Sequence, residues 1–171
     1  EGVRPELIDK AATDFGMPMG PIELADTVGL DICLAVAETL AESLEVEVPA
    51  KLRSMVSAGD LGRKSGKGFY SYSKGKPEKA KTEGTSMAAD LTDRMMFRML
   101  NEAMACLRER VVDSDDLLDA GVIFGTGFAP FRGGPMHYIH TSGHQSMKDK
   151  IEQLSAQYGN RFEPDAAWDR L

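Results

Sequence analysis

The sequence predicts an all-α protein built as two tandem copies of one small helical domain. Two observations carry this. Apolar residues recur three and four positions apart through most of the chain, the period of amphipathic helices. One motif is also written twice: Ile8-Asp9-Lys10-Ala11-Ala12-Thr13-Asp14-Phe15-Gly16, leading to Gly20-Pro21, and Leu118-Asp119-Ala120-Gly121-Val122-Ile123-Phe124-Gly125, leading to Gly134-Pro135. Each reads as a helix that stops at Phe-Gly, crosses a loop rich in Pro and Gly, and restarts at Gly-Pro. The copies lie 110 residues apart at the Asp (119 − 9) and 114 apart at the restart Pro (135 − 21), so the second loop is longer. So long a period indicates duplicated subdomains and not a short-repeat solenoid.

The elements follow in order. Pro5 suits a first helical position, Leu7, Ile8, Ala11, Ala12 and Phe15 form the stripe, and Gly16 stops the helix. Pro21 opens a second helix that Gly29 ends, and a third runs from Leu30 to about Leu44. Pro49 opens a fourth, with Gly59 as its stop. Gly62, Gly66 and Gly68 suit turns, and Phe69, Tyr70 and Tyr72 suit a short extended segment. Ser73 to Gly84 is rich in Lys, Gly and Pro and reads as a mobile basic linker. The second copy opens with a long helix whose face runs from Leu91 through Met95, Met99, Met104 and Leu107 to Val111. Ser114 is an N-cap with Asp115 and Asp116 behind it. Pro135 starts a helix that Gly143 ends; Met147, Ile151, Leu154 and Tyr158 mark the next, stopped by Gly159, and the tail through Trp168 packs back. The expected division is residues 1–72, a linker over 73–84, and residues 85–171.

Composition bounds the function. The chain has 171 residues, 42% hydrophobic and 27% charged, as in ordinary globular domains. No apolar run reaches the roughly 20 residues of a membrane helix. A net charge of −7 argues against nucleic acid, which calls for a basic face. Basic residues cluster nonetheless: Arg63, Lys64, Lys67, Lys74, Lys76, Lys79 and Lys81 face a single acid, Glu78. Cys33 and Cys106 sit in apolar helical patterns and read as buried free thiols of a cytoplasmic protein. The chain opens on Glu1 and not Met, as expected of a piece of a longer chain.

Phe15-Gly16-Met17-Pro18-Met19-Gly20-Pro21, Asp26 and Val28-Gly29-Leu30-Asp31 resemble the C-terminal domain of 3-hydroxyacyl-CoA dehydrogenases. Gly62-Arg63-Lys64-Ser65-Gly66-Lys67-Gly68-Phe69-Tyr70 resembles the segment closing that domain, and Asn101-Glu102-Ala103 with the run from Phe124 to Ile139 resembles a second copy. Two copies resemble the multifunctional α subunit of the fatty-acid β-oxidation complex. The resemblance implies oxidation of (S)-3-hydroxyacyl-CoA with NAD as cofactor. It also implies that NAD and a catalytic His-Glu pair sit on an N-terminal Rossmann domain. A substrate-positioning Asn would lie on the first helix of the C-terminal domain, ahead of this chain. No catalytic, cofactor-binding or metal-ligating residue is therefore expected here. The implied partners are an acyl-CoA substrate, the Rossmann domain and a thiolase β subunit.

Phe15, Gly16, Met17, Pro18, Met19, Gly20 and Pro21 form the candidate substrate-binding loop. Gly lets backbone approach a ligand, and Gly20-Pro21 offers the free N–H groups of a helix start; the resemblance implies that this loop lies near the acyl end of the cleft. The alternative is a tight turn that needs Gly and Pro for geometry alone. Gly125-Thr126-Gly127 lacks the third glycine of a dinucleotide loop, Pro130 standing in its place, and follows a helix, so it reads as structural. The basic segment could meet CoA phosphates, but Lys74 to Lys81 reads better as a solvated linker. His137, His140 and His144 have ligand-like spacing, yet Gly143 interrupts them and surface histidines are expected. The Met-rich face reads as core. The expected function is the substrate-side and assembly part of the dehydrogenase, inactive alone. The alternative is a helical acyl-CoA-binding or oligomerisation module without catalysis.

Overall fold

Proline and glycine punctuate the chain much as the sequence places them. A computed structural model describes residues 2–41, 47–82 and 84–170. Among these residues the fold is helical, with one two-stranded hairpin. It divides into two compact units, Glu1–Thr13 with Met19–Met87 and Asp14–Pro18 with Ala88–Leu171. The expected borders at residues 72 and 84 differ from these: the chain crosses between units within the candidate loop, and the basic segment stays with the first unit.

In the first unit, α1 (Pro5–Phe15) begins with Pro5 and α2 (Pro21–Val28) with Pro21. Helix α3 (Leu30–Ala41) follows directly after Gly29, whose φ of 110° suits glycine at the break. Its expected end at Leu44 lies outside the described residues. Pro49 caps α4 (Ala50–Ser57) from one position before the helix. The expected linker is partly ordered: β1 (Ser71–Ser73) pairs antiparallel with β2 (Lys76–Glu78). Lys74 and Gly75 turn it, both at positive φ (50° and 76°). A two-residue hairpin turn requires that conformation, and Lys-Gly is a weak sequence signal for it.

The second unit is built on α5 (Leu91–Arg108). Phe97, Leu100, Ala103 and Met104 of α5 join Leu118 of α6 (Asp115–Thr126), Met136 and Ile139 of α7 (Pro135–Ser142), and Met147, Ile151 and Leu154 of α8 (His144–Tyr158) in one core. The methionine face is core, as expected. Helix α5 ends before Val111, which is 67% exposed, because Arg110 turns the chain at φ 58°. Ser114 caps α6, its side chain accepting from the Leu117 N–H. Cys33 and Cys106 are free thiols, half-buried where full burial was expected. Burial holds both thiols above their ordinary pKa.

The tail does pack back. Trp168 is 1% exposed, and its indole N–H donates to Asn101 Oδ1 at 2.9 Å. The same oxygen accepts from the Asp165 N–H at 2.8 Å, and Asn101 Nδ2 donates to the Glu163 carbonyl at 3.0 Å. Arg108 grips the Asp165 carboxylate with two nitrogens, 2.9–3.0 Å away. That grip holds Asp165 below the usual carboxylate pKa. A depressed folded-state pKa contributes stability above the unfolded value, near pH 4, and loses it as pH falls through the folded one. Acid titration of Asp165→Asn should therefore show a smaller loss of stability below about pH 4 than the unaltered protein. An unchanged profile would mean that the pair contributes nothing.

Candidate functional site

The first unit is organised by two buried carboxylates. Asp9, 2% exposed, lies on the inner face of α1. Its Oδ1 accepts from the Ile22 N–H at 2.8 Å and its Oδ2 from the Glu23 N–H at 3.2 Å. These are two of the unpaired donors of the first turn of α2, so Asp9 supplies an anion at the positive end of that helix from thirteen residues away. Tyr70 O–H donates to Oδ2 at 2.8 Å, and Lys79 Nζ lies 3.1 Å from the same oxygen and 2.6 Å from Glu23 Oε2. Burial and the neighbouring carboxylate push the Tyr70 pKa well above its ordinary value, so it remains a donor. Burial works against the charge on Lys79, but its bonds to Glu23 and Asp9 hold its pKa above normal.

Asp26, fully buried, closes the segment after α4. Its two oxygens accept from the N–H groups of Phe69 and Tyr70, each at 2.9 Å, and Oδ2 also accepts from Tyr72 O–H at 3.2 Å. The glycines follow from this. A Cβ on Gly68 would stand 2.2 Å from Asp26 Oδ1, and one on Gly62 would stand 2.3 Å from the Asp26 carbonyl. The spacing Gly62-x5-Gly68-Phe69-Tyr70 therefore encodes a close wrap around a buried Asp.

The second unit repeats the first arrangement. Asp119, 8% exposed on α6, accepts from the N–H of Met136 at 2.7 Å and of His137 at 3.0 Å, in the first turn of α7. Burial raises its pKa, against the pull of these two bonds. Close approach again demands glycine: a Cβ on Gly20 would fall 2.2 Å from Asp9, and one on Gly134 would fall 2.4 Å from Asp119. Residue-by-residue reading noted both aspartates without their role. The available signal was one Asp at the same register on two otherwise apolar helix faces.

The candidate loop is therefore tightly packed. In the second unit, Phe15 is 6% exposed and meets Phe128 and Tyr138 edge-on at 5.6 and 5.4 Å. Arg132, missed in the sequence, stacks its guanidinium 4.1 Å above the Phe15 ring and donates from Nε to the Phe15 carbonyl at 2.8 Å. Gly16 has φ 118° and faces the Phe131 ring, and Pro18 packs under Gly127. In the first unit, the N–H groups behind Gly20-Pro21 are taken by Asp9, so the helix start is not the free anion site anticipated. Met19, 36% exposed, is the loop's exposed large apolar side chain.

Lys64 and Lys67 pair with Asp31 at 2.5 Å and Asp60 at 2.9 Å. Lys79 belongs to the Asp9 cluster, against its expectation as a solvated linker residue. His140 Nε2 lies 2.9 Å from Asp115 on the surface; His144 is half-buried and stacks on Trp168 at 5.7 Å. Among the described residues no group of His, Cys, Asp or Glu is arranged to hold a metal, and no helix is long and apolar enough to cross a membrane. Gly127 closes α6 in the left-handed conformation, so Gly125-Thr126-Gly127 ends a helix and offers no dinucleotide cradle.

Residues 1–72 match the family description "3-hydroxyacyl-CoA dehydrogenase, C-terminal domain". Fatty acid oxidation complex subunit alpha from Shewanella sp. (strain ANA-3) is 40% identical over 181 residues, covering 96% of this chain and 26% of that protein. The protein of the same name from Shewanella baltica (strain OS185) is 40% identical over 178 residues, with 96% and 25% covered. The chain thus spans about a quarter of the length of the curated relatives it matches. The dehydrogenase part of multifunctional enzyme 1 from C. elegans superposes with a TM-score of 0.71 at 27% identity, over 99% of this chain and 42% of that one. The 3-hydroxybutyryl-CoA dehydrogenase from Escherichia coli K12 gives 0.77 at 21% identity, over 98% and 54%, a likeness of fold.

Proposed function

We propose that the chain belongs, through residues 1–72, to the 3-hydroxyacyl-CoA dehydrogenase C-terminal domain family, and that it is the substrate-side and assembly portion of an NAD-dependent (S)-3-hydroxyacyl-CoA dehydrogenase of fatty-acid β-oxidation. The observation that supports this best is the 40% identity to fatty acid oxidation complex α subunits along 96% of the chain. We read the two units as tandem copies of one domain, on the strength of the matching Asp9 and Asp119 caps. The parent enzyme is cytoplasmic and acts with an acyl-CoA substrate, a Rossmann-type NAD-binding domain and a thiolase β subunit.

In this reading NAD would be held by the other domain and would supply the redox chemistry there; the residues described here do not fit it, since Gly125-Thr126-Gly127 ends a helix and forms no phosphate-binding turn after a strand. This chain supplies shape. In the first unit Asp9 fixes the start of α2 and Asp26 the closing segment, and in the second Arg132 holds Phe15; the residues Phe15–Pro21 serve the acyl group. Because Asp9 already fills the helix start, the loop acts by apolar contact, through Met19, and not by binding an anion. Fluorescence titration tests the division of labour: residues 1–171 should leave NADH emission unchanged, while the chain joined to the parent's NAD-binding domain should enhance it. Saturable NADH binding by residues 1–171 alone would overturn the assignment and leave the module reading without support as well.

A further inference from the structure

Phe131 stands apart from its neighbours in the second unit. Phe128 and Ala129 before it are fully buried, Arg132 after it is half-buried and Gly134 to Met136 are buried again, yet the Phe131 side chain is 74% exposed. Its backbone is fixed on both sides. Residues Pro130–Arg132 form one 3-10 turn, in which the Arg132 N–H donates to the Ala129 carbonyl at 2.9 Å and the Gly133 N–H to the Pro130 carbonyl at 3.0 Å. Gly133 closes the turn in the left-handed conformation, at φ 77°. The ring is held as well. The Arg132 guanidinium lies 5.2 Å from its centre, and its edge lies against Gly16, where a Cβ would stand 2.5 Å from it. Phe131 is thus a fixed apolar platform open to water. Gly16 belongs to the same unit, which takes in Asp14–Pro18.

We propose that Phe131 is a specificity-determining residue: the far methylenes of a long acyl chain lie on its exposed ring, so that the parent enzyme favours long-chain over short-chain 3-hydroxyacyl-CoA. The inference rests on the function proposed above and extends its acyl site from the loop Phe15–Pro21 to a residue of another element. Three observations select an alkyl chain as the occupant. The first is continuity. The ring meets the loop at Gly16, which has no side chain to part them, and the exposed Pro18 and Pro130 lie next along the chain from Gly16 and from the ring. The second is charge. Gly16, Met17, Pro18 and Pro130 are uncharged, and the cation beside the ring is already committed. Arg132 stacks 4.1 Å from the Phe15 ring centre and 5.2 Å from that of Tyr138, and its Nε donates to the Phe15 carbonyl at 2.8 Å. A nucleotide phosphate calls for a cation turned outward; an alkyl chain calls for apolar surface alone. The third is rigidity. A ring already held in place loses little freedom when a chain settles on it, so the burial of methylenes is not offset by ordering the protein.

Steady-state kinetics of the parent enzyme tests this, with 3-hydroxybutyryl-CoA as the short substrate and 3-hydroxyhexadecanoyl-CoA as the long one. Phe131→Ala should lower the long-over-short ratio of kcat/KM by roughly tenfold, the discrimination that a single hydrophobic contact gives. The change should lie in KM for the long substrate. Phe131→Leu keeps apolar bulk and should restore most of the ratio. Val111→Ala removes a side chain of similar exposure, 67%, ahead of α6 and away from the packing of Pro18 under Gly127, and should leave the ratio alone. Equal losses with both substrates would show a structural role and overturn the proposal. An unchanged ratio overturns it too, and if the oligomeric state of the parent changes with Phe131→Ala, the ring belongs to a protein interface instead. A parent that oxidises neither substrate overturns the proposed function itself. A parent that oxidises both, with Phe131→Ala indifferent to chain length, overturns the role of Phe131 alone.

Discussion

Gly20→Ala should destabilise the first unit by about 3 kcal/mol, the range for forcing atoms into a packed site with backbone adjustment. Its Cβ would fall 2.2 Å from the Asp9 carboxylate, a separation no real pair tolerates, so either the carboxylate or α2 must move. Moving the carboxylate strips the N–H groups of Ile22 and Glu23, the O–H of Tyr70 and the ammonium of Lys79 of their common acceptor. Gly134→Ala should cost at least as much, because its Cβ meets Asp119 at 2.4 Å and its φ of 104° disfavours any side chain. Gly121→Ala supplies the contrast. Nothing lies within 4 Å of its Cβ and it sits inside α6, so helix propensity alone should stabilise by about 0.8 kcal/mol. Urea unfolding of the three variants checks the set; a Gly20→Ala protein as stable as its parent would show that Asp9 does not hold α2.

Asp26→Ala should have an effect of similar size, about 3 kcal/mol or more, since each buried donor left without a partner costs roughly 1–3 kcal/mol. Three donors lose their acceptor at once: the N–H groups of Phe69 and Tyr70 and the O–H of Tyr72. The loss should be local before it is global. Residues 62–78 should release first, carrying Tyr70 away from Asp9. Hydrogen exchange should then show fast amides at Phe69 and Tyr70 while α5 to α8 keep their protection. Asp26→Asn retains one acceptor and should fall between the alanine variant and the parent. Unchanged exchange at Phe69 and Tyr70 in Asp26→Ala would show that the wrap is held by packing alone.

These two predictions also mark what could be read from the chain itself. Helix starts at Pro5, Pro21 and Pro135 and breaks at Gly29 and Gly143 were legible because Pro and Gly act locally. The Met-rich face of α5 was legible because its spacing follows the helix period. The roles of Asp9, Asp119 and Asp26 were not, because each carboxylate is satisfied by backbone 13 to 44 residues away. Nothing local to an Asp records which helix start it will cap. The same limit misjudged Lys79, which looks like linker charge until the hairpin returns it to Asp9. The loop Phe15–Pro21 stands out in the sequence by its Gly and Pro, but its glycines answer Phe131 and Asp9 and its helix start is already filled, which no residue pattern within the loop reveals.

One measurement bears most directly on the assignment: NADH oxidation with acetoacetyl-CoA, followed at equal protein concentration for residues 1–171 and for the same residues joined to the parent's NAD-binding domain. We expect no turnover above background from residues 1–171 and clear turnover from the joined protein. Robust oxidation by residues 1–171 alone would contradict the placement of the chemistry on another domain.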